Sequence, residues 1–356
     1  MSTLQLPVSA PALPQVIKGR HYTSSHREIE LSDTIYEDCH FDQLTWSGCR
    51  LSNLRFVNCR FGANRFERCE LMNLVYEDCS IGATQWIDCM LRGISLAGGE
   101  IRDVVWSNSQ LKDMMFVRTS GTSLRFDAVR AAHLSFVASA LTGIELTGGH
   151  WSDASWISLE LADLRVHGAE LGSFIVGQSK CRGCVIHDCT GINTRWIDSQ
   201  IEQMTVHGCT LKQAAWSHST WSGGGIAASR LPLACFDHAK LSGLSVLDSD
   251  LSKAMFDYAS VLDSDLHGLH APRISFRHAH LARVQLAAAQ LTGLDARGVT
   301  LEHVGLNGAD CSSGLLAGQP RLAWIAADTR HATFDETAME EDHQWQQRTQ
   351  PGARGV

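Results

Sequence analysis

Charged residues are scarce in this chain: they make up 19% of its 356 residues and form no basic block. With a formal net charge of −8, direct binding to nucleic acid phosphates is not expected. No run of 18 apolar residues exists, so no transmembrane helix is predicted. The N-terminal residues lack the apolar segment of a secretory signal, which predicts a cytoplasmic protein and leaves leaderless export open.

Twelve cysteines without a secretory signal predict free thiols in a reducing compartment. Six of them recur at every tenth position, and the spacing admits three explanations. A metal site, a disulfide ladder and a packing repeat would each produce it, and each implies a different kind of protein. The six are Cys39, Cys49, Cys59, Cys69, Cys79 and Cys89.

The ten-residue period extends far beyond these cysteines, from Ile29 to Gly318, without insertion or deletion. Large apolar residues fill 23 of 29 positions ending in 1 and, except for Ala296, every position ending in 6. Positions ending in 9 are small in 24 of 29 rows, and positions ending in 0 are polar in 27 of 29. A random amphipathic chain would lose this phase within a few rows, so the pattern indicates a solenoid.

Each row of ten contains two small–polar–large units, spaced by half a row. Two inward residues flank an outward one in such a unit, which is the alternation of a β-strand. The remainder of each half row must turn a corner. An α-helix does not fit, because ten is not close to a multiple of 3.6 residues.

These residues resemble a pentapeptide-repeat protein, whose consensus is roughly small–Asp/Asn–Leu–x–x. The resemblance covers residues 29–318 and implies an all-β fold, a right-handed quadrilateral parallel β-helix of about 14 coils, each made of four pentapeptides. Strands about 4.8 Å apart would make this rod roughly 70 Å long. We expect the glycine-rich segment Ser222–Ala228 to be its loosest part. Close consensus matches are "SDL" at Ser249–Leu251 and Ser264–Leu266, "ADC" at Ala309–Cys311 and "CELMN" at Cys69–Asn73.

Packing is the favoured explanation of the cysteine spacing. Cysteines four pentapeptides apart stack on one wall, in a column that holds Ser, Ala or Gly elsewhere. Stacked side chains point in parallel, which suits neither disulfides nor the converging ligands of zinc. The "CRGC" segment, Cys181–Cys184, also falls in inward columns, and we interpret it as core.

Two outward columns rich in histidine are candidate binding surfaces, with predicted steps of about 4.8 Å along the rod. Each ladder is either a solvated repeat of a tolerated residue, which we favour, or a metal, anion or pH-sensitive contact stripe. One column holds His167, His187 and His207, and the other holds His218, His238, Tyr258 and His278. Paired carboxylates, a Gly-rich phosphate loop and a nucleophile elbow are missing, so we predict no enzyme activity, cofactor or metal site.

The two ends fall outside the repeat and predict a chain in three parts. Residues 1–28 should be extended or disordered, 29–318 should form the β-helix, and 319–356 should form a cap with a short helix. Phe334, Met339 and Trp345 give this cap apolar material. It either covers the last coil, which we favour, or contacts a partner or a second copy, because the resemblance implies C-terminal dimers in several relatives.

The resulting functional hypothesis is a non-enzymatic rod that binds a protein partner as a scaffold or adaptor. Resemblance alone links it to bacterial secretion systems, including type VI clusters, or to translocated effectors. The alternative that the resemblance offers is a mimic of DNA that binds DNA gyrase. Residues 29–318 carry 31 acidic and 23 basic residues. That is one net charge per roughly 9 Å, far below the one per about 1.7 Å of B-DNA, so we rank this alternative second.

Overall fold

Short parallel strands wind the chain into a solenoid of about 14 turns, which a computed structural model describes for residues 14–335. Within that range there are 41 strands and one 3₁₀ helix, Arg321–Trp324. The predicted all-β solenoid is confirmed.

The strands form two sheets, both parallel. The first sheet contains Gln15–Lys18, Glu30–Ser32, Thr34–Glu37, Arg50–Ser52, Arg55–Val57, Glu70–Met72, Val75–Glu77, Met90–Arg92, Ser95–Ala97, Gln110–Val117, Arg130–Val137, His150–Ser152, Ser155–Ile157, Glu170–Gly172, Ile175–Gly177, Thr190–Ile192, Arg195–Ile197 and Thr210–Lys212. The second sheet contains His21–Tyr22, His26–Arg27, His40–Asp42, Thr45–Ser47, Arg60–Gly62, Arg65–Glu67, Ser80–Gly82, Gln85–Ile87, Glu100–Ser107, Ser120–Asp127, Ala140–Thr142, Glu145–Thr147, Glu160–Ala162, Arg165–His167, Lys180–Arg182, Val185–His187, Gln200–His207, Thr220–Ala227, Lys240–Ser242, Ser245–Leu247, Ser260–Leu262, His280–Ala282 and Thr300–Glu302.

Each turn of the solenoid crosses four faces, which we number by the large apolar residue at the centre of each strand. Face 1 contains Tyr36, face 2 Phe41, face 3 Trp46 and face 4 Leu51, and each series recurs once per coil, at every fourth pentapeptide. Faces 4 and 1 lie in the first sheet, and faces 2 and 3 lie in the second. Residues one full coil apart therefore lie side by side, and a column of the sequence becomes a stripe along the rod.

The β-structure extends beyond both predicted limits of the repeat. Before Ile29, strand Gln15–Lys18 pairs with Thr34–Glu37, so that Gln15 opposes Thr34 in a coil one residue short of the regular length. After Gly318, Leu315 bridges Thr333, in a coil that is shorter by two. The described residues before Ile29 are extended, and their strands pair with the first regular coil. A slightly shortened coil keeps the backbone pairing but hides the period in the sequence.

The last coil is covered by the described part of the C-terminal segment. Trp324, in the 3₁₀ helix, is 3% exposed and lines the same apolar space as Leu301 and Leu306. Arg321 places its guanidinium carbon 4.7 Å from the centre of the Phe334 ring. The predicted short helix beyond Asp335 lies outside the described residues.

Aromatic rings stack along the interior because the coil spacing matches the distance at which rings make contact. On face 3, Trp106 lies 5.1 Å from Trp86 and 4.5 Å from Phe126, centre to centre and nearly parallel. Several buried indole N–H groups lack an acceptor, which costs about 1–3 kcal/mol each. Burying about 200 Å² of indole surface contributes roughly 5 kcal/mol, so burial outweighs that cost. The indoles concerned are those of Trp46, Trp86, Trp106, Trp151, Trp156, Trp196, Trp216 and Trp324.

The cysteine column supplies hydrogen bonds as well as filling space. The N–H of Cys49 donates to the Sγ atom of Cys69 at 3.4 Å, and the N–H of Cys69 donates to Cys89 in the same way. The thiol of Cys69 in turn donates to the carbonyl oxygen of Trp46 at 3.3 Å. Where serine replaces cysteine, as at Ser109, its hydroxyl accepts the equivalent N–H. These side chains satisfy buried N–H groups that would otherwise be unpaired.

After residue 218, many of the N–H groups at positions ending in 9 are bonded by a backbone carbonyl instead of a Cys or Ser side chain. The residues at these positions are then mostly alanine. The N–H of Ala259 donates to the carbonyl of Phe256 at 3.1 Å, closing a tight turn. Pro232 occupies the second position of such a turn and Leu233, with a φ of 61°, the third. Proline followed by positive φ is typical of a type II turn. Cysteine or serine thus occurs where the side chain accepts the N–H at the corner, and alanine occurs where a backbone carbonyl accepts it.

Paired glycines lie where one coil closely approaches the backbone of the coil before it. Gly149 has a φ of 79°, and a Cβ atom there would overlap the carbonyl oxygen of Val129. Gly224 approaches Met204 in the same way. The prediction that Ser222–Ala228 is loose is therefore wrong: strand Thr220–Ala227 pairs with its neighbour along almost its whole length. The absence of a side chain permits closer packing here.

Replacing Cys69 tests the hydrogen-bonding role of the column. Cys69→Ser should change the free energy of unfolding little, because a hydroxyl accepts the Cys49 N–H as well. Cys69→Ala leaves that buried N–H unpaired and should cost about 1–3 kcal/mol. Urea denaturation followed by circular dichroism measures both. Equal stability of the two variants would contradict the role.

Neighbouring glycines provide a matched test of the close approach. Gly148→Ala and Gly149→Ala both place a Cβ at positive φ, which costs about 1 kcal/mol. Only at Gly149 must the Val129 carbonyl move, and with it the bond of 2.9 Å that it accepts from the His150 N–H. Gly149→Ala should therefore cost at least about 2 kcal/mol more than Gly148→Ala. Thermal unfolding of the two variants compares them directly. Similar midpoint temperatures would contradict the close approach at Gly149 as the reason for glycine there.

Candidate binding surfaces

The first histidine ladder lies on the outer side of face 3, as predicted. The rings of His187 and His207 are parallel, 4.9 Å apart and inclined by 7°. His167 departs from this stack: its ring is tilted by 30°, and its Nδ1 atom lies 3.1 Å from the Nδ1 of His187. Asp188, at the adjoining corner, places Oδ2 3.0 Å from the same His187 nitrogen. The structure therefore brings His167, His187 and Asp188 together, whereas His207 stacks beside them.

The second ladder follows the corner after face 1. Its ring centres are 4.9–5.0 Å apart along His218, His238, Tyr258 and His278. All four residues have left-handed backbone, with φ between 53° and 58°. Histidine adopts this conformation more readily than most residues, which explains its presence at a corner. Asp237 lies beside this ladder, with Oδ2 3.0 Å from Nδ1 of His238.

The predicted C-terminal contact residues are only partly described. Phe334 is half-buried and packs against the last coil, whereas Met339 and Trp345 lie outside the described residues. Two neighbours that the sequence reading did not single out, Leu322 and Ile325, are 73% and 78% exposed.

Face 1 carries an uncharged outer surface along five successive coils. We call the outward residues of face 1 in these five coils the face 1 patch. Its apolar members are half-buried by their neighbours along the stripe, apart from Met115, which is 45% exposed, and Gly177, which is buried. Five coils span about 20 Å along the rod. The patch consists of Ser95, Ala97, Met115, Val117, Ser135, Val137, Ser155, Ile157, Ile175 and Gly177.

The patch is not apparent when the sequence is written in rows of ten residues, because each row is half a coil and one column then mixes residues from opposite faces. When each row holds one complete coil, one column reads Ala97, Val117, Val137, Ile157 and Gly177. The same register on face 3 instead reads Ser107, Asp127, Thr147, His167 and His187. Apolar residues at outward positions are the available signal, and it appears only when the faces are separated.

Charged residues on the other faces neutralise one another between coils. Arg50 on face 4 bridges Glu30 at 3.1 Å and Glu70 at 3.2 Å. On face 2, Lys180 pairs with Glu160 at 2.8 Å. These pairs are exposed and contribute little stability. They do, however, interrupt any continuous stripe of acidic potential.

The interior offers little room for a ligand. Two enclosed apolar spaces, one beside Met114 and one beside Leu294, measure about 10 Å³ each. A space of that size holds at most one water molecule. Neither of these two spaces can hold a ligand larger than water.

The thiols are inaccessible as well as unpaired. All 12 cysteines are free, and all but Cys235 are buried. Burial raises the pKa of the Cys39 and Cys49 thiols, and it raises the pKa of Cys311 to about 12. A protonated, buried thiol is a poor nucleophile and a poor metal ligand. The cysteines are thus part of the core, as the repeat predicts.

Comparison with known proteins supports the five-residue unit seen in the fold. Residues 29–106 match the family described as a pentapeptide repeat region. Residues 29–106 therefore form a pentapeptide-repeat region. The same backbone unit continues in this pentapeptide-repeat rod beyond the matched residues, through coils of four pentapeptides as far as Leu315. No curated protein matches it significantly.

Solved pentapeptide-repeat structures are similar to this rod at low sequence identity. HetL from the cyanobacterium Nostoc sp., involved in heterocyst differentiation regulation, is 16% identical over 80% of this chain and 89% of its own, with a TM-score of 0.23. QnrB1, a plasmid-mediated fluoroquinolone resistance protein, is 14% identical over 60% and 99%, with a TM-score of 0.22. A protein of the Arabidopsis thaliana thylakoid lumen is 22% identical over 33% and 77%, with a TM-score of 0.14. Over residues 14–335, the rod contains no helix with the length and apolar character needed to cross a membrane.

Thiol counting tests the buried column. In the native rod at pH 8, an aromatic disulfide reagent should modify only Cys235 rapidly, because the other thiols are buried and out of its reach. In guanidinium chloride the same reagent should count all 12 thiols. Rapid reaction of several thiols in the native state, or an incomplete count after unfolding without reductant, would contradict a core of free cysteines.

Proposed function

We propose that this pentapeptide-repeat protein is a non-enzymatic rod that binds a protein partner through the face 1 patch and acts as a scaffold or adaptor. The observation that carries the proposal is the run of five coils whose outward residues on one face are all uncharged and largely apolar. Apolar residues exposed in contiguous patches are typical of protein interaction sites. Elsewhere on the rod, outward positions carry mainly polar or charged side chains.

Rigidity favours binding at this surface. The backbone of each coil is hydrogen-bonded to the coils on both sides, so the patch needs no ordering when a partner docks. Association is opposed by side-chain and loop ordering, and a preformed surface avoids most of that cost. A three-residue strand is about 10 Å long, so the patch covers roughly 200 Å². A stable complex buries about 800 Å² per partner, and the contact must therefore continue over the bordering corners.

Charges at those corners define the complementary partner. One border carries Asp153 and also Asp113, which lies 3.8 Å from Arg92, and the opposite border carries Arg118. Beyond the last coil of the patch, Arg195 is exposed. We therefore infer a partner with an apolar centre, a basic group on one side and an acidic group on the other. An apolar centre with a polar rim is the usual anatomy of such interfaces.

The other hypotheses receive less support. The inter-coil ion pairs and the low net charge do not favour mimicry of DNA, and so they do not favour gyrase as the partner. A secretion system or effector role has no further observation behind it. Buried free thiols are consistent with a reducing compartment, which supports the proposal of a cytoplasmic protein.

Site-specific crosslinking in the organism that encodes the rod tests the proposal. A photoreactive phenylalanine derivative at Val137 should form an adduct of defined mass with one partner. The matched control is the same derivative at Thr147, which lies on face 3 of the next half coil and should form none. Val117→Glu should abolish the Val137 adduct, because a carboxylate would be buried against apolar surface without a counter-charge.

Four outcomes are distinguishable. An adduct at Val137 that disappears with Val117→Glu supports the proposed face. A product of twice the chain mass would identify a second copy as the occupant instead of a different protein. No adduct at Val137, or equal adducts at Val137 and Thr147, would remove face 1 as the docking surface. Inhibition of supercoiling by DNA gyrase with the purified rod would favour the mimic instead.

A further inference from the structure

The tilted end of the face 3 ladder has the composition and spacing of a metal site. We propose that His167, His187 and Asp188 bind a divalent transition metal ion, with zinc as the reference case, between two adjacent coils. One ligand atom from each residue is available, and the three atoms lie within 4.8 Å of one another. Two imidazoles and a carboxylate form a donor set that suits zinc and its neighbours in the first transition series.

Two of the three distances between ligand atoms are those of ligands around one ion. Two ligands about 2.0–2.1 Å from a tetrahedral zinc ion lie about 3.3 Å apart. The Nδ1 atoms of His167 and His187 are 3.1 Å apart, and Nδ1 of His187 lies 3.0 Å from Oδ2 of Asp188. The ring centres of His167 and His187 are 5.2 Å apart, close to the 4.9 Å of the stacked rings of His187 and His207, but the first pair is inclined by 30° and the second by 7°. The tilt of His167 converts a stack into a convergent pair.

Counting protons shows why a cation would stabilise this group. The Nδ1 atom of His187 is within hydrogen-bonding distance of both the His167 nitrogen and the Asp188 oxygen. If it carries its single proton, two acceptors compete for that proton. If it does not, its lone pair faces a carboxylate oxygen. A metal ion accepts a lone pair from all three atoms at once.

The repeat itself creates the space for the carboxylate. Asp188 is flanked along its corner by Gly168 and Gly208 in the adjacent coils. A Cβ atom at position 208 would overlap Oδ1 of Asp188, so glycine there leaves room for this carboxylate. The His187 and Asp188 side chains are 40% and 53% exposed. Water or a group from another molecule can therefore complete the coordination, as in zinc sites with an open position.

A second group of the same composition lies on the corner ladder. It consists of His218, Asp237 and His238, whose ligand atoms also lie within 4.8 Å of one another. There the histidine rings remain stacked, 4.9 Å apart at 23°. Because that pair is less convergent, we expect weaker binding at this group. It has to be removed before the first site is measured.

The test uses the full chain without a polyhistidine tag, stripped with EDTA, in a His238→Gln background that leaves only the first group intact. Calorimetric titration with zinc should show one site per chain. Cobalt should give visible absorption bands typical of low coordination number. Adding His187→Gln or His167→Gln should weaken zinc binding by at least about tenfold. The control is His207→Gln in the same background, which removes a histidine from the same ladder and should leave the affinity unchanged.

Circular dichroism and thermal unfolding without metal establish that each variant is folded, as expected for substitutions at exposed positions. Zinc should raise the unfolding temperature of the parent and of His207→Gln, but not that of His187→Gln, because the ion joins adjacent coils only in the folded state. The proposal is overturned if the parent binds no zinc at millimolar concentration. It is also overturned if His187→Gln and His207→Gln bind zinc equally.

Discussion

The hydrogen-bond ladder between successive coils is the constraint on which this structure depends. Each strand pairs in parallel with the equivalent strands of the coils before and after it. A change in coil length that keeps this pairing has to be absorbed at a corner, between the paired strands. A single insertion inside a strand would move the inward residues after it in that strand to the outer face. The ladder therefore enforces the strict period of the sequence, and the two shortened coils lie at the ends.

The interior follows from the ladder. Side chains that point into the bore are held about 4.8 Å from their equivalents in the next coil, so like residues stack and small residues form continuous columns. A column of small residues also meets a backbone N–H at each corner, and that group needs an acceptor. Cysteine and serine meet both demands, whereas alanine suffices where a tight turn bonds the N–H itself, as at Ala259. Packing and hydrogen bonding together select the residue type.

Features that belong to a whole column of the repeat can be predicted from the sequence, whereas features of a single side chain cannot. The fold, the buried thiols and the positions of the histidine ladders are all predictable, because each is a property of a column. The first coil was missed because one residue fewer between Gln15 and Thr34 breaks the period but preserves the pairing. The tilt of His167 was also missed, since it depends on the rotamer of one side chain beside Asp188. The face 1 patch was present in the sequence but hidden by a row length that mixed opposite faces.

Outward positions are the part of this molecule that can vary without cost to the fold, and specific surfaces must arise there. The ladder places a residue beside its equivalents in the neighbouring coils, so a substitution at one outward position acts together with positions a full coil away in the sequence. Five uncharged residue pairs on one face make a patch, and two histidines with one aspartate make a convergent cluster. Neither feature is contiguous in sequence. A solenoid with a regular, repetitive core can thus carry distinct sites on different faces. Each site is formed by residues that follow one another along a single face.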